Sequence, residues 1–140
     1  MKQTAKKTKR YGVTRDAIMN KYGGMCAYTG KPLDSKWQID HVLPRSIKIQ
    51  SHHGIEWHND FRNMLPALAI VNHYKGYRDL EEFRELMLGF HTRLAKLPKK
   101  TKREETKRRI KYMNSIAEAF GITKDSPFNG KFYFEIVESL

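Results

Sequence analysis

Eight consecutive residues, Met64-Leu65-Pro66-Ala67-Leu68-Ala69-Ile70-Val71, carry no charged or polar side chain. In a 140-residue chain of formal net charge +12, such a run has to be covered on every side, so whatever it forms is central. A segment without a polar face predicts a buried helix rather than an amphipathic one, here over Met64 to Lys75. Pro66 is tolerable in the first turn of that helix, and Gly76 is its stop. The run ends on Asn72, His73 and Lys75, polar groups that a buried helix must place somewhere useful or wet.

The other elements follow from local signals. Residues Met1 to Arg10 hold five basic side chains and no acidic one, which reads as a flexible basic arm. Thr14 is a candidate N-cap for a short helix that Gly23-Gly24 ends. Met25 to Pro44 reads as a β-hairpin region, with Thr29-Gly30-Lys31-Pro32 as its turn and Trp37-Gln38-Ile39 as a brief strand running into Asp40-His41. A long polar connection spans about Ser46 to Arg62 and contains His52, His53 and His58. Leu80, Phe83, Leu86, Met87, Phe90, Leu94 and Leu97 recur at helical spacing up to Pro98. Ile110, Met113, Ile116, Ala117 and Phe120 form a second stripe before Gly121. Both stripes read as packing faces. Lys131 to Val137 looks like a terminal strand.

Charge and cysteine content narrow the function classes. Lys and Arg outnumber Asp and Glu by 27 to 15, which favours an anionic partner such as nucleic acid, or else only a solvated basic face. Cys26 is the single cysteine, so an intrachain disulfide and a four-cysteine zinc site are excluded. No apolar run approaches the ~20 residues of a membrane span, and the basic N-terminus lacks the apolar core of a signal peptide. An intracellular, cytoplasmic protein is expected.

The chemistry concentrates around Asp40-His41, with Asn63 and Asn72 downstream. Phosphodiester hydrolysis needs a nucleophile, neutralisation of phosphate charge and help for the leaving oxygen. His41 is suited to take a proton from water near neutral pH. Asp40 offers a hard oxygen ligand for magnesium, and Asn72 a neutral carbonyl ligand. Lys75, one turn beyond Asn72, could hold a neighbouring phosphate. Neighbours on a regular strand point to opposite faces, so Asp40 and His41 share one site only if the strand ends or bulges there, as Pro44 just beyond would allow. Each residue also has a plainer reading. An Asp-His pair is commonly a surface turn, Asn63 could be a local cap, and Asn72 could close its helix with Gly76.

From Cys26 to Lys75, about one third of the chain, the sequence resembles the His-Asn-His (HNH) endonuclease family, with its ββα-metal core. Members end the first motif strand on an Asp-His pair, have an Asn after a variable loop, then a His or Asn nine residues on and a Lys three residues further. Asp40-His41, Asn63, Asn72 and Lys75 stand in those places. Cys26-Ala27-Tyr28-Thr29-Gly30-Lys31-Pro32-Leu33 looks like the start of the motif. Its Tyr-Thr-Gly, together with an Asn in the last place, is similar to the HNH domain of RNA-guided CRISPR nucleases. The resemblance implies that His41 is the general base and that Asp40 and Asn72 hold the metal. It also implies that Asn63 braces the loop and strand that position His41. Three departures stand out. The family's other zinc cysteines are replaced by Thr29, Leu68 and Val71, so no structural zinc is expected and apolar packing must hold hairpin to helix. The gap from His41 to Asn63 is longer than usual. The last motif residue is Asn72 with His73 beside it, and Lys75 sets the register in favour of Asn72.

The expected fold is therefore α+β: a small ββα-metal core with flanking helices and a candidate C-terminal strand. Residues 1–10 form the arm, 11–78 the nuclease core and 79–140 a helical extension packed into the same domain. The expected activity is that of a DNA endonuclease dependent on one divalent ion, magnesium first, with manganese or another divalent ion as alternatives. A catalytically inactive DNA-binding module is the runner-up, and a basic assembly protein a third reading. Duplex DNA is the expected partner. Its phosphates would be met by Arg45, Lys48 and Lys75, by Lys6 and Lys7 on the arm, and by Lys102 and Arg103 in Lys99 to Lys111, a segment with eight basic and two acidic residues. The loop histidines lack a partner pattern and are expected to face solvent or nucleic acid. A bacterial or phage origin is family analogy only.

Overall fold

The computed structural model describes residues 9–10, 13–43 and 60–140. Strand β1 (Lys9–Arg10) pairs antiparallel with β2 (Val13–Thr14). Thr14 then caps helix α1 (Arg15–Met19), its hydroxyl accepting the Ala17 N–H at 3.1 Å. A 3-10 turn over Asn20–Tyr22 ends at Gly23, whose φ of 63° glycine adopts without a Cβ clash.

The apolar run is not one helix. Met64–Ala67 is strand β4, and only Ala69–Lys75 is helical, as α2. Strand β3 (Gln38–His41) pairs antiparallel with β4, with Asp40 opposite Leu65 and His41 opposite Met64. All four residues of β4 are buried: Leu65 and Ala67 enter the main core and Met64 a smaller cluster, while the edge away from β3 is met by the Ala27 N–H, 2.8 Å from the Pro66 carbonyl. A strand covered on both sides and a buried helix have the same apolar signature, and periodicity cannot separate them. Pro66, with no N–H to give, is better suited to this position than to a helix interior.

The hairpin expected within Met25–Pro44 is likewise redrawn. Around Thr29-Gly30 the chain makes a tight turn with a single bridge, Met25 to Pro32, and β3 takes its partner from β4 instead. Gly30, at φ 74°, and Pro32 leave no room for a ladder there.

Helix α3 (Leu80–Leu88) opens on a capping box in which Asp79 and Glu82 exchange bonds of 2.8 and 3.0 Å. The single stripe from Leu80 to Leu97 breaks at Gly89 into α3 and α4 (Phe90–Ala95). Helix α5 (Glu104–Phe120) ends at Gly121, φ 70°. The expected C-terminal strand is instead helix α6 (Tyr133–Glu138). The N–H groups of Tyr133 and Phe134, which a helix start leaves unpaired, bond the carbonyls of Tyr28 (3.2 Å) and Ala27 (2.8 Å), and Glu135 takes the Phe132 N–H at 2.9 Å. Alternation of Phe132 with Phe134 imitated a strand, but Phe132 lies before the helix, and Phe134 and Val137 meet the core one turn apart.

One core joins Cys26, Tyr28, Leu65 and Val71 to Phe83, Phe90, Ile116 and Phe132, so the C-terminal helices and the β3–β4–α2 unit share a single interior. A smaller cluster of Ile18, Trp37 and Met64 closes the other face of β3. Leu68 and Val71 pack in the same core as Cys26, which ties α2 to the tight turn by apolar contact. The fold is α+β. Among the described residues no helix is long and apolar enough to cross a membrane.

Candidate functional site

Strand β3 lies across α2, and its alternation sorts the site residues. Gln38 and Asp40 face the helix: the Asn72 amide donates to Gln38 Oε1 at 2.8 Å, and the Lys75 ammonium lies 3.3 Å from Asp40 Oδ2. Ile39 turns the other way, onto Ile18, Trp37 and Met64. The register runs unbroken through Asp40 and His41, and the Val42 N–H continues it to the Asn63 carbonyl at 2.9 Å. The strand therefore neither ends nor bulges between Asp40 and His41, and alternation sets them on opposite faces.

Asp40 is buried and held on two sides. The Tyr28 hydroxyl donates to Oδ2, while Lys75 approaches Oδ2 at 3.3 Å and Oδ1 at 3.4 Å and donates to the His41 carbonyl at 3.2 Å. Burial pushes the Asp40 carboxyl above the usual carboxylate range, against the opposing pull of Lys75 and Tyr28. Burial, then the charge of Asp40, holds the Tyr28 phenol well above its ordinary value, so Tyr28 is the donor in this pair.

Lys75 is fully buried, which corrects its expected role. Folded this way it touches protein oxygens of β3 and is not available to a phosphate. Lys102 and Arg103 are exposed, as are Lys107, Arg108, Arg109 and Lys111 on α5, so this segment presents its charge to solvent. Arg45, Lys48, Lys6, Lys7, His52, His53 and His58 lie outside the described residues.

Asn63, nearly fully buried, clasps the chain just past His41: the Leu43 N–H donates to its Oδ1 at 2.9 Å, and its Nδ2 donates to the Leu43 carbonyl at 3.3 Å. These bonds fix the end of the strand that carries His41, which itself is half-buried. Asn72 and His73 diverge. Asn72 points at β3, whereas His73 Nδ1 lies 2.8 Å from the Tyr112 hydroxyl on α5.

The structure adds two residues to the site, Tyr28 and Gln38. Gln38 was legible in principle, as it sits two positions before Asp40 and so on the same strand face. Tyr28 was visible only as a motif letter, because nothing local in the sequence brings it to Asp40.

These residues suit a hard divalent cation on one observation: a positive charge, the Lys75 ammonium, already rests between β3 and α2 against carboxylate and carbonyl oxygens. Asp40 supplies a carboxylate on one side, and Asn72, whose Nδ2 donates to Gln38, stands one turn before Lys75 on the helix side, where its amide oxygen would be the neutral ligand. Among the described residues no three His, Cys, Asp or Glu side chains gather, so a cation here would rest on Asp40, neutral oxygens and water. Comparison of the chain with protein-family models, with curated proteins and with solved structures gives no match.

Proposed function

We propose that this chain is a metal-dependent DNA endonuclease of HNH type. The observation that supports the reading is the strand–strand–helix unit in which the Asp40 face of β3 opposes the Asn72–Lys75 face of α2 around a cationic centre. Asp40 and Asn72 would hold one divalent ion, magnesium or manganese, whose chemistry is to neutralise phosphate charge and steady the leaving oxygen. The chain's own residues do the rest. Asn63 fixes the end of β3 through Leu43, and Tyr28 orients Asp40. His41, the last residue of β3, would take the proton of the attacking water in its neutral form near pH 7, a role that requires its imidazole to come round the end of the strand from the face opposite Asp40. The exposed Lys102 and Arg103, with the basic face of α5, supply sequence-independent contacts to duplex DNA. An intracellular setting, where DNA and magnesium meet, goes with this reading.

A second reading, a DNA-binding module without turnover, draws on the regular strand that turns Asp40 and His41 to opposite faces. A plasmid assay in magnesium, manganese or chelator, beside His41→Ala, separates the two. Nicking that needs the metal and is lost in the variant is expected of the endonuclease. Salt-sensitive binding with no nick in any metal would establish the module instead.

A further inference from the structure

We infer that Lys75 is the resident counter-ion of the Asp40 site, an internal cation paired with the carboxylate until a divalent ion takes its place. The inference rests on the proposed metal site and names how that site is kept before metal arrives. A fully buried ammonium is costly unless its charge is matched, and Lys75 matches it with β3 oxygens: both carboxylate oxygens of Asp40 and the main-chain carbonyl of His41. That is an oxygen shell of the kind a hard cation takes.

The contacts differ in grip. Those of Lys75 are 3.2 to 3.4 Å, longer than the about 2.7–2.9 Å of a well-formed charge-assisted bond. Tyr28, by contrast, is hydrogen-bonded closely to Oδ2 and is locked in the aromatic core. Asp40 is thus aimed by Tyr28 and merely neutralised by Lys75. The lysine also stands at the last residue of α2, beside Gly76, on a flexible four-carbon stem, so its ammonium can leave without unwinding the helix. A permanent structural ion pair would be expected to show the reverse, short charge-assisted bonds.

The test compares wild type, Lys75→Met and Asp40→Asn by titration calorimetry with manganese, and by thermal melting in chelator and in manganese. Removing the competing charge is expected to tighten manganese binding about tenfold or more in Lys75→Met, and Asp40→Asn is expected to abolish it. In chelator Lys75→Met melts below wild type, and manganese raises its midpoint by more than it raises that of wild type. Should Lys75→Met fail to fold, the wild type suffices. Its Lys75 amine, mapped by acetylation and peptide mass spectrometry, is expected to be protected in chelator and modified once manganese is bound. Equal or weaker manganese affinity in a folded Lys75→Met, or an amine still protected in the metal-loaded protein, overturns the inference. Its failure is distinguishable from that of the nuclease reading. Metal-dependent nicking with Lys75 protected throughout removes only the exchange, and exchange without nicking removes only the nuclease.

Discussion

Tyr28 and Asp40, twelve residues apart, are joined by a hydrogen bond between two buried side chains, phenol to carboxylate. The bond couples the tight turn to β3, and through it the aromatic interior to the candidate site. The Tyr28 ring packs edge-on against Phe83, Phe132 and Phe134 at centroid distances of 5.4, 5.2 and 6.0 Å. Tyr28→Phe keeps those ring contacts and removes only the hydroxyl, leaving a buried carboxylate oxygen short of a donor. The expected cost is about 1–3 kcal/mol in a urea or thermal unfolding measurement. A loss within error of zero would mean that the hydroxyl contributes nothing to holding Asp40.

Phe132 carries the C-terminal segment onto that interior. It is fully buried, stacked on Phe83 at 5.2 Å and packed against Phe128 at 5.1 Å. Phe132→Ala is expected to cost about 3–5 kcal/mol, as large cavities in aromatic cores do. That is a large share of the about 5–15 kcal/mol typical of a domain. Because Phe132 also backs Tyr28, the variant should lose manganese uptake at temperatures where it is still folded. Unchanged denaturation midpoints would show that Phe132 is not part of the cooperative core.

Arg84 reaches both oxygens of Glu135 at 2.7 Å and the Gly130 carbonyl at 2.6 Å, fastening α6 to α3. The guanidinium holds the Glu135 carboxyl below its usual range. A carboxyl with a depressed folded pKa contributes stability that is fully present above its unfolded value, near 4.5, and is lost as pH falls through the folded value. Glu135→Gln should therefore lower the melting temperature at pH 7 and converge with wild type in acid, below both values. Parallel melting curves from pH 7 down to pH 3 would show that the pair carries no stability. The site is partly exposed, so the effect is modest.

The reach of the sequence is clearest where local signals decide. Thr14 and the glycines Gly23, Gly76 and Gly121 mark helix ends by cap geometry, a property of a few adjacent residues, and they fall where expected. Lys75 fixes the helical register of Asn72 because residues three apart share a face, and the side chains of both meet β3. Tertiary choices were not legible. Met64–Ala67 became a strand because Ala27 and β3 cover it from two sides, and Lys131–Val137 became a helix start because the Ala27 and Tyr28 carbonyls accept its first amides. Both outcomes depend on partners many residues away, which no window along the chain contains. The same holds for Lys75, whose charge reads as a surface feature until Asp40 and the His41 carbonyl are seen around it.

Among the described residues, burial also separates Lys75, enclosed in this fold, from basic residues that face solvent and can meet a polyanion. Lys102 and Arg103 are exposed, whereas Lys75 is enclosed against Asp40. Deleting a side-chain cation that neutralises one phosphate should lower the slope of log K against log salt by about 0.9 on duplex DNA. Lys102→Ala with Arg103→Ala is thus expected to lower the slope by roughly two, weakening binding evenly across sequences. Lys75→Met, measured in chelator so that the Asp40 pairing of wild type persists, is expected to leave the slope unchanged. Fluorescence anisotropy over a salt series reads both variants on one labelled duplex. A slope that falls with Lys75→Met, or stays fixed with the double alanine, would reverse this division between the buried cation and the solvent-facing segment.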